Sequence, residues 1–259
     1  MINIKFPIIK QFENGNILAF ISPRKDENIE IKLTSGYLYT LCGNNGTGKT
    51  TLMNIFSLLT NTLTGVSFDK ENIIFDNLTE HKYMDRTEIR EKYLSFIFQD
   101  PHMINIYTLN ENLKLVNDQF NFVEDINHLI ESAKKLNIDK VSSDYLITKL
   151  NKFIDEKDNT PYYLSGGEKQ LLSFIRSMIK PSNIIFADEP WASMDDHLKN
   201  FIESELYKYL NDEDIFASIR NRNKELNKKK LVLIISHESQ KKASSLEFGM
   251  LDSEYRYEI

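Results

Sequence analysis

The chain has 259 residues, 41% of them apolar and 27% charged, with a formal net charge of −6 at pH 7. That length suits one well-buried domain, no apolar run reaches the ~18 residues that a bilayer span needs, and the opening Met1-Ile2-Asn3-Ile4-Lys5-Phe6 lacks a signal-peptide pattern. The single cysteine, Cys42, excludes an internal disulfide and suits the cytosol, and the acidic balance argues against a broad nucleic-acid surface.

Residues 1–33 show short alternating stretches with turns at Asn14-Gly15-Asn16 and Ser22-Pro23-Arg24, which predicts antiparallel strands flanking a parallel core. The apolar run from Tyr37 to Cys42 reads as a buried strand. Gly43-Asn44-Asn45-Gly46-Thr47-Gly48-Lys49-Thr50 follows and fits G-x-x-x-x-G-K-[ST]. The stretch from Thr50 and Thr51 to Leu59 has the apolar face of a helix. Strand, glycine loop and helix form the context in which this motif cradles phosphates. Glycines let the backbone wrap phosphate oxygens without Cβ interference, and successive N–H groups and a helix start face the negative charge. Lys49 adds a point charge, and Thr50 offers a hydroxyl to Mg²⁺. Asn72 to Phe75 predicts another strand, and Asp85 to Tyr93 a short helix leading into the strand Leu94–Phe98. Gln99 ends that strand; a lone Gln there is ordinarily just a polar strand end.

Between Gln99 and Leu164 the pattern turns helical, with helical spacing from Asn110 to Val116 and from Val123 to Leu136. Asp155 to Asn159 reads as a solvated loop. In Leu164-Ser165-Gly166-Gly167-Glu168-Lys169-Gln170, Ser165 and Glu168 form an S-x-x-E capping box opening the helix Leu171–Ile179. A helix start with two glycines in its first turn is also an anion site, although capping alone is common. Asn183 to Pro190 is an apolar strand ending in Asp188 and Glu189, where a parallel sheet presents ligand-binding groups. Asp188 would hold Mg²⁺, and Glu189 would polarise an attacking water. The mixed run Arg220 to Lys230 is basic; it is a candidate for anionic lipid heads, with a solvated helix end as the simpler reading. Leu231 to Ser236 reads as a buried strand, and His237 ends it. The other histidines lack metal-ligand spacing, which disfavours a zinc site.

This order of motifs, with Ala192-Ser193-Met194-Asp195 after the paired carboxylates, resembles the ATP-binding cassette (ABC) ATPase family from about Asn28 to Gly249. The resemblance implies an α/β P-loop NTPase fold: a RecA-like parallel core sheet, an antiparallel β subdomain and an inserted helical subdomain at about 100–180, within one domain over 1–259. It implies that residues 43–51, including Thr51, bind ATP. Gln99 resembles the glutamine that touches Mg²⁺ and senses the membrane partner. Ser165, Gly166 and Gly167 resemble the signature that contacts the γ-phosphate held by the opposite protomer, and Asp195 the aspartate of the loop linking the two sites. His237 resembles the switch histidine. Phe20 stands where an aromatic ring stacks on adenine, with Phe12 nearby. Two positions depart from the pattern. Trp191 replaces a small hydroxyl residue and Met194 a leucine; both bear on packing of the inter-site loop and neither removes a catalytic group.

The expectation is therefore the ATP-hydrolysing subunit of a transporter, peripheral on the cytoplasmic face of the membrane. It would form a homodimer or heterodimer that sandwiches ATP–Mg²⁺, and it would drive an integral membrane permease that selects the cargo. The alternative is a soluble, non-transporter ABC ATPase, such as an iron–sulfur cluster assembly ATPase. Pro190 after Glu189 looks more like the transporter subunits. No Asn-Lys-x-Asp guanine-reading motif occurs, which disfavours a GTPase. The short stretch after His237 leaves no room for a regulatory C-terminal domain.

Overall fold

The computed structural model describes residues 2–5, 8–11, 17–20, 30–33, 35–42, 49–59, 66–70, 73–75, 83–136, 138–222, 230–236 and 247–249. The chain divides into two compact units, Met1–Leu94 with Leu233–Ile259, and Ser95–Val232. In chain order the elements begin with β1 (Ile2–Lys5), β2 (Ile8–Gln11), β3 (Ile17–Phe20), β4 (Glu30–Leu33), β5 (Leu38–Cys42) and α1 (Lys49–Phe56). Next come β6 (Val66–Lys70), β7 (Ile73–Phe75), α2 (Tyr83–Tyr93), β8 (Leu94–Ile97), α3 (Leu109–Lys114), α4 (Phe122–Ala133) and α5 (Lys140–Asp155). A 3₁₀ turn (Pro161–Tyr163) precedes α6 (Gly166–Ile179), β9 (Ile184–Asp188), α7 (Asp196–Tyr209), α8 (Ala217–Arg220), β10 (Leu231–Ser236) and β11 (Glu247–Gly249).

In the first unit the expected antiparallel strands form. β1 lies between β4 and β6, with β7 beyond β6. Its register sets Ile2 and Ile4 opposite Leu33 and Ile31 on one side and Phe68 and Val66 on the other. These apolar residues occupy the same alternate positions, which is what fixes a register of period two. β2 and β3 pair as a hairpin from Gln11↔Ile17 to Ile8↔Phe20. β5 is buried from Leu38 through Leu41, with no more than 3% exposure at any of the four, and β11 runs parallel to it. Burial on both faces explains why this strand reads as continuous rather than alternating.

α1 stops at Phe56, short of the predicted Leu59. Ser57 and Leu58 turn out of the helix, and Leu58 takes a left-handed φ of 61°. Its carbonyl accepts from Arg86 Nη2 at 3.1 Å and Arg90 Nη1 at 2.7 Å, both on α2. Two guanidinium groups thus satisfy a carbonyl that the helix end leaves open and complement its partial negative charge.

The second unit holds β8, β9 and the first residues of β10, in the order β10-β9-β8; Leu231 N–H donates to the Asn183 carbonyl at 3.0 Å. α6 packs beside β8. Ser95 Oγ donates to the Ser177 carbonyl at 2.9 Å, and Ser177 Oγ returns a bond to the Phe96 carbonyl. Phe174 meets Phe201 of α7 and Phe216 edge to face, with centroids 6.0 and 5.6 Å apart. α4 buries Phe122, Ile126, Leu129, Ile130 and Ala133, the spacing of one helix face, and it packs on α5. Thr108 caps α3 through a capping box with Glu111.

Two cations of the basic run, Arg220 and Lys230, are buried rather than solvated. Arg220 is 1% exposed and Lys230 is fully buried. Arg220 binds Asp214 at 2.7 and 3.1 Å and Asp212 at 2.9 Å, and Lys230 also bonds Asp212. Both cations sit 4.5 Å from the centroid of the buried Tyr209 ring. Arg222 pairs with the buried Asp125 of α4. Arg220 and Lys230 are consumed in holding the 212–222 turn and the start of β10, whereas Arg222 stays exposed while paired with Asp125. Residues 223–229 lie outside the described set.

Candidate functional site

In the first unit, β5 leads to α1, whose first residues are Lys49 and Thr50. Lys49 is 7% exposed, while Thr50 is exposed. A lysine and a hydroxyl in the first turn of a helix that follows a buried parallel strand fit a phosphate and its cation: the helix start favours negative charge. Thr51 continues α1. Gly43, Asn44, Asn45, Gly46, Thr47, Gly48 and His237 lie outside the described residues. Phe20 closes β3 opposite Ile8.

In the second unit, β9 ends at Asp188, and Glu189 follows; they are 6% and 9% exposed. Glu189 has a φ of 43°. A non-glycine residue in the left-handed region stores ~1–3 kcal/mol of strain, which persists where the surroundings impose it and clusters at functional sites. The chain then closes in tight turns, with Ala192 N–H donating to the Glu189 carbonyl and Met194 N–H to the Trp191 carbonyl, both at 3.0 Å. Trp191 is buried at 7% exposure and lies under Lys199, whose Nζ is 5.8 Å from the ring centroid. The two departures in this loop are thus absorbed: Trp191 packs inward and Met194 lines the cavity described below. Gln99 is exposed just beyond β8.

Gln170, the last residue of the signature motif and given no role of its own there, joins these segments. It is fully buried, and its Nε2 donates to the Phe98 carbonyl at 3.0 Å and the Pro190 carbonyl at 3.1 Å. One side chain thereby fixes the residue before Gln99 against the residue after Glu189. A sequence signal existed: Gln170 stands four residues before Phe174, on the buried stripe of α6. Asn112 plays a similar part for the loop after Gln99. It is fully buried, accepts from Ile104 N–H, and donates to the Ile104, Tyr107 and Thr108 carbonyls.

The predicted capping box at Ser165 and Glu168 is present. Ser165 Oγ accepts from Glu168 N–H at 3.3 Å, and Glu168 Oε2 accepts from Ser165 N–H at 2.9 Å. Glu168 does more than cap. It is 4% exposed and takes Lys149 Nζ at 2.9 Å and Lys152 Nζ at 2.8 Å, both from α5. Burial pushes its pKa up, but the Lys152 bond, the Ser165 N–H and the Lys149 bond together bring it down to about 2. The carboxylate stays charged at any physiological pH, and the two lysines leave the anion-facing helix start less negative than its sequence suggests. Ser165 and Gly166 remain exposed. A Cβ on Gly167 would lie 3.0 Å from the Ser193 carbonyl oxygen, so the inter-site loop approaches the signature closely because residue 167 is glycine. Asp195 caps α7 by accepting from Leu198 N–H at 3.1 Å. A cavity of about 170 Å³ is lined by Tyr145, Lys149, Ser165, Gly167, Ser193 and Asp195, among others. The second unit therefore brings the signature and Asp195 together at one cavity.

Comparison with known proteins agrees with this arrangement. Residues 27–192 match the family model described as ABC transporter. The chain is 31% identical over 222 residues to the lipoprotein-releasing system ATP-binding protein LolD of Ehrlichia canis, covering 86% of this chain and 89% of that protein. It is 30% identical over 169 residues to the bacitracin export ATP-binding protein BceA of Halalkalibacterium halodurans, covering 65% and 60%. Among solved structures, a dimeric ATP-binding cassette in a post-hydrolysis state bound to ADP and Pi shares the fold, with a TM-score of 0.60 at 19% identity over 92% of this chain and 88% of that one. A chain with this motif order, this cavity and these relatives belongs to the ABC transporter family, as an ATP-binding cassette ATPase of the α/β P-loop fold.

Proposed function

We propose that the chain is a single ABC domain over 1–259, with a helical subdomain at about 100–180, that hydrolyses ATP to drive a partner membrane permease. Two cassettes, identical or closely related, close over two ATP–Mg²⁺. Lys49, Thr50, Thr51 and the loop 43–48 hold the phosphates, and Phe20 stacks on adenine. Thr50, Gln99 and Asp188 hold Mg²⁺, which when bound neutralises phosphate charge. Glu189 orients and polarises the attacking water, and His237 bonds the γ-phosphate. Ser165, Gly166, Gly167 and Asp195 face the nucleotide of the opposite cassette. The observation that carries the reading is the exposed start of α6: a capped, glycine-bearing helix end beside Asp195 on one cavity, built to receive an anion.

Among the described residues no helix is long and apolar enough to cross a membrane. In this reading the chain sits on the cytoplasmic face of the permease, which spans the membrane. The permease also selects the cargo. ATPases named for lipoprotein release and for bacitracin export both resemble this chain, at 31% and 30% identity, so the resemblance does not single out one cargo.

The test is Glu189→Gln. Turnover should fall by ~10²–10⁴-fold, the worth of a positioned acid–base group, while ATP now holds the protein as a dimer in size-exclusion chromatography with light scattering. A variant that stays monomeric in ATP and hydrolyses it normally would refute the water-activating role. In the same experiment Lys49→Ala should weaken nucleotide binding itself. Co-purification from gently solubilised membranes should yield a polytopic protein in near-equal amount; a purely soluble catch would point to the non-transporter alternative.

A further inference from the structure

The starts of α6 and α7 are both fastened to one helix, α5. Towards its C-terminal end α5 holds Glu168, in the first turn of α6, through Lys149 Nζ at 2.9 Å and Lys152 Nζ at 2.8 Å. In its own first turn the buried Ser142 reaches α7: Ser142 Oγ lies 2.9 Å from Nδ1 of His197, the second residue of that helix. The Tyr145 ring, one turn on, packs against the His197 ring with centroids 6.2 Å apart. Residues 142, 145, 149 and 152 follow helical spacing, so one face of α5 carries all of these contacts. From Ser142 to Lys152 that face runs about 15 Å at 1.5 Å per residue. No motif announces His197, and none of the proposed nucleotide-binding roles uses it.

The direction of the Ser142–His197 bond follows from proton counting. Asp139, the N-cap of α5, accepts from Ser142 N–H at 2.9 Å through one oxygen, and its other oxygen lies 2.5 Å from Ser142 Oγ. The hydroxyl first, and then the N–H, hold the Asp139 carboxyl below the usual carboxylate range. An ionised carboxylate can only accept, and a serine has one hydroxyl proton. That proton therefore goes to Asp139, at a length normal for a hydroxyl bound to a carboxylate. Ser142 Oγ is left as an acceptor, so His197 Nδ1 must carry a hydrogen.

From this geometry we infer that His197 is a positioning residue for ATP turnover: as an Nδ1–H donor to Ser142 it fixes the start of α7, and with it Asp195, against the helix that also holds the signature. Asp195 stands two residues before His197 and caps α7 on the Leu198 N–H at 3.1 Å, so both act in the same turn. α5 packs on α7, but packing alone tolerates sliding, whereas a hydrogen bond is directional. With the bond in place, Asp195 and Glu168 are referenced to one rod. Small misplacements of groups around a reacting centre are expensive.

This inference rests on the reading of Asp195 as a residue of the composite nucleotide site, and the test separates the two. The bond itself is read without ATP. Long-range ¹H–¹⁵N correlation NMR of the whole protein at about pH 8.5, above the ordinary histidine range, should show His197 with Nδ1 protonated and Nε2 bare. Ser142→Ala should return it towards the Nε2–H form. A wild-type His197 in the Nε2–H form would refute the contact outright. ATP turnover is then measured for the wild type, Ser142→Ala, His197→Phe, His197→Asn and Asp195→Ala. His197→Phe keeps the ring and removes the donor, whereas His197→Asn loses the ring but sets an amide N–H near the place of Nδ1. His197→Phe and Ser142→Ala should each lower kcat about five- to tenfold with KM within about twofold, and combining them should cost no more than either alone. His197→Asn should retain about half of the wild-type rate or more. Wild-type turnover in His197→Phe, equal losses in the two His197 variants, or losses that multiply when Ser142→Ala is combined with His197→Phe would refute the positioning role. If Asp195→Ala itself turns over normally, the composite-site reading fails instead.

Discussion

The buried ionic knot around Tyr209 makes a prediction opposite to intuition: deleting one of its charges stabilises the protein. Lys230 has no exposed surface. Burial first, then repulsion from Arg220, lowers its pKa from 10.5 to about 8, although Asp212 pulls the other way. Keeping the ammonium charged in the fold therefore costs on the order of 3 kcal/mol at pH 7 relative to the unfolded chain. Lys230→Met replaces it with an apolar chain of similar length and leaves Asp212 bonded to Arg220 and Asn221. We expect a gain of about 1–3 kcal/mol, as when apolar residues replace other buried ion pairs. Asp214→Ala should do the reverse. It strips Arg220, a buried guanidinium, of its two-point partner, at about 3–5 kcal/mol. The sign of the pH dependence follows from the direction of the Lys230 shift. Below pH 8 both folded and unfolded chains hold the proton, and the penalty is fully present. Between pH 8 and 10.5 the unfolded chain binds more protons than the folded one, so wild-type stability rises with pH. The advantage of Lys230→Met should therefore be largest at pH 7 and shrink towards pH 10. Urea unfolding followed by circular dichroism at pH 7, 8, 9 and 10, taken as variant minus wild type, reads this directly. A variant less stable than wild type at pH 7, or a difference that stays flat from pH 8 to 10, would refute the reasoning and make Lys230 a net anchor.

Two further outcomes follow from α6. Gly167→Ala should destabilise by about 1–3 kcal/mol and depress ATP turnover, because its Cβ would meet the Ser193 backbone oxygen at 3.0 Å. At Gly166 the nearest atom is Ser193 Cβ at 4.0 Å, and Gly166→Ala should change stability by less than about 0.5 kcal/mol; equal losses in chemical denaturation would show that the approach of the loop does not matter. Gln170→Leu leaves the Phe98 and Pro190 carbonyls without their donor and should cost about 2–4 kcal/mol. Its kcat should fall too, since Pro190 adjoins Glu189. A wild-type melting temperature with normal turnover would mean that other donors take those carbonyls.

What could be read in advance was what local pattern encodes. β5, β8, β9 and β10 are buried runs, so continuous apolarity marked them. The capping box at Ser165 and Glu168 is a four-residue signal and appears as expected. β6 went unread because Asp69 and Lys70 weaken its strand character; pairing with β1 and β7 is what makes it a strand. The length of α1 was overread because its end depends on two arginines of α2, about thirty residues on. The burial of Arg220 and Lys230, at the two ends of the basic run, went unread for the same reason. The run's partners Asp212, Asp214 and Asp125 lie at separations that no periodicity reveals. At the site, the groups proposed to bear on nucleotide carry motifs, whereas Lys149 and Lys152, which hold Glu168, carry none, and Gln170 stands in a motif that does not announce its holding role. A holding residue needs only the right atom at the right distance.

That asymmetry explains why α6 matters more than its motif suggests. The helix has 14 residues, about 21 Å of rod at 1.5 Å per residue. Its first turn meets the Ser193 carbonyl and is tied through Glu168 to α5. One turn on, Gln170 holds the backbone just before Gln99 and just after Glu189. Two turns further, Ser177 exchanges bonds with Phe96 and Ser95 of β8. The segment bearing Gln99, the segment bearing Glu189 and the signature are thus anchored to one element that buries ten of its side chains. A packed helix of that kind shifts as a body rather than bending residue by residue. Any displacement imposed on the loop after β8 must then either break the Gln170 bonds or move the signature with it. Breaking them would leave two buried carbonyls unpaired, so moving the helix is the cheaper response. In a protein whose proposed task is to convert nucleotide closure into movement of a membrane partner, that is the mechanical link such coupling requires, and Gln170 is the residue at which it can be cut.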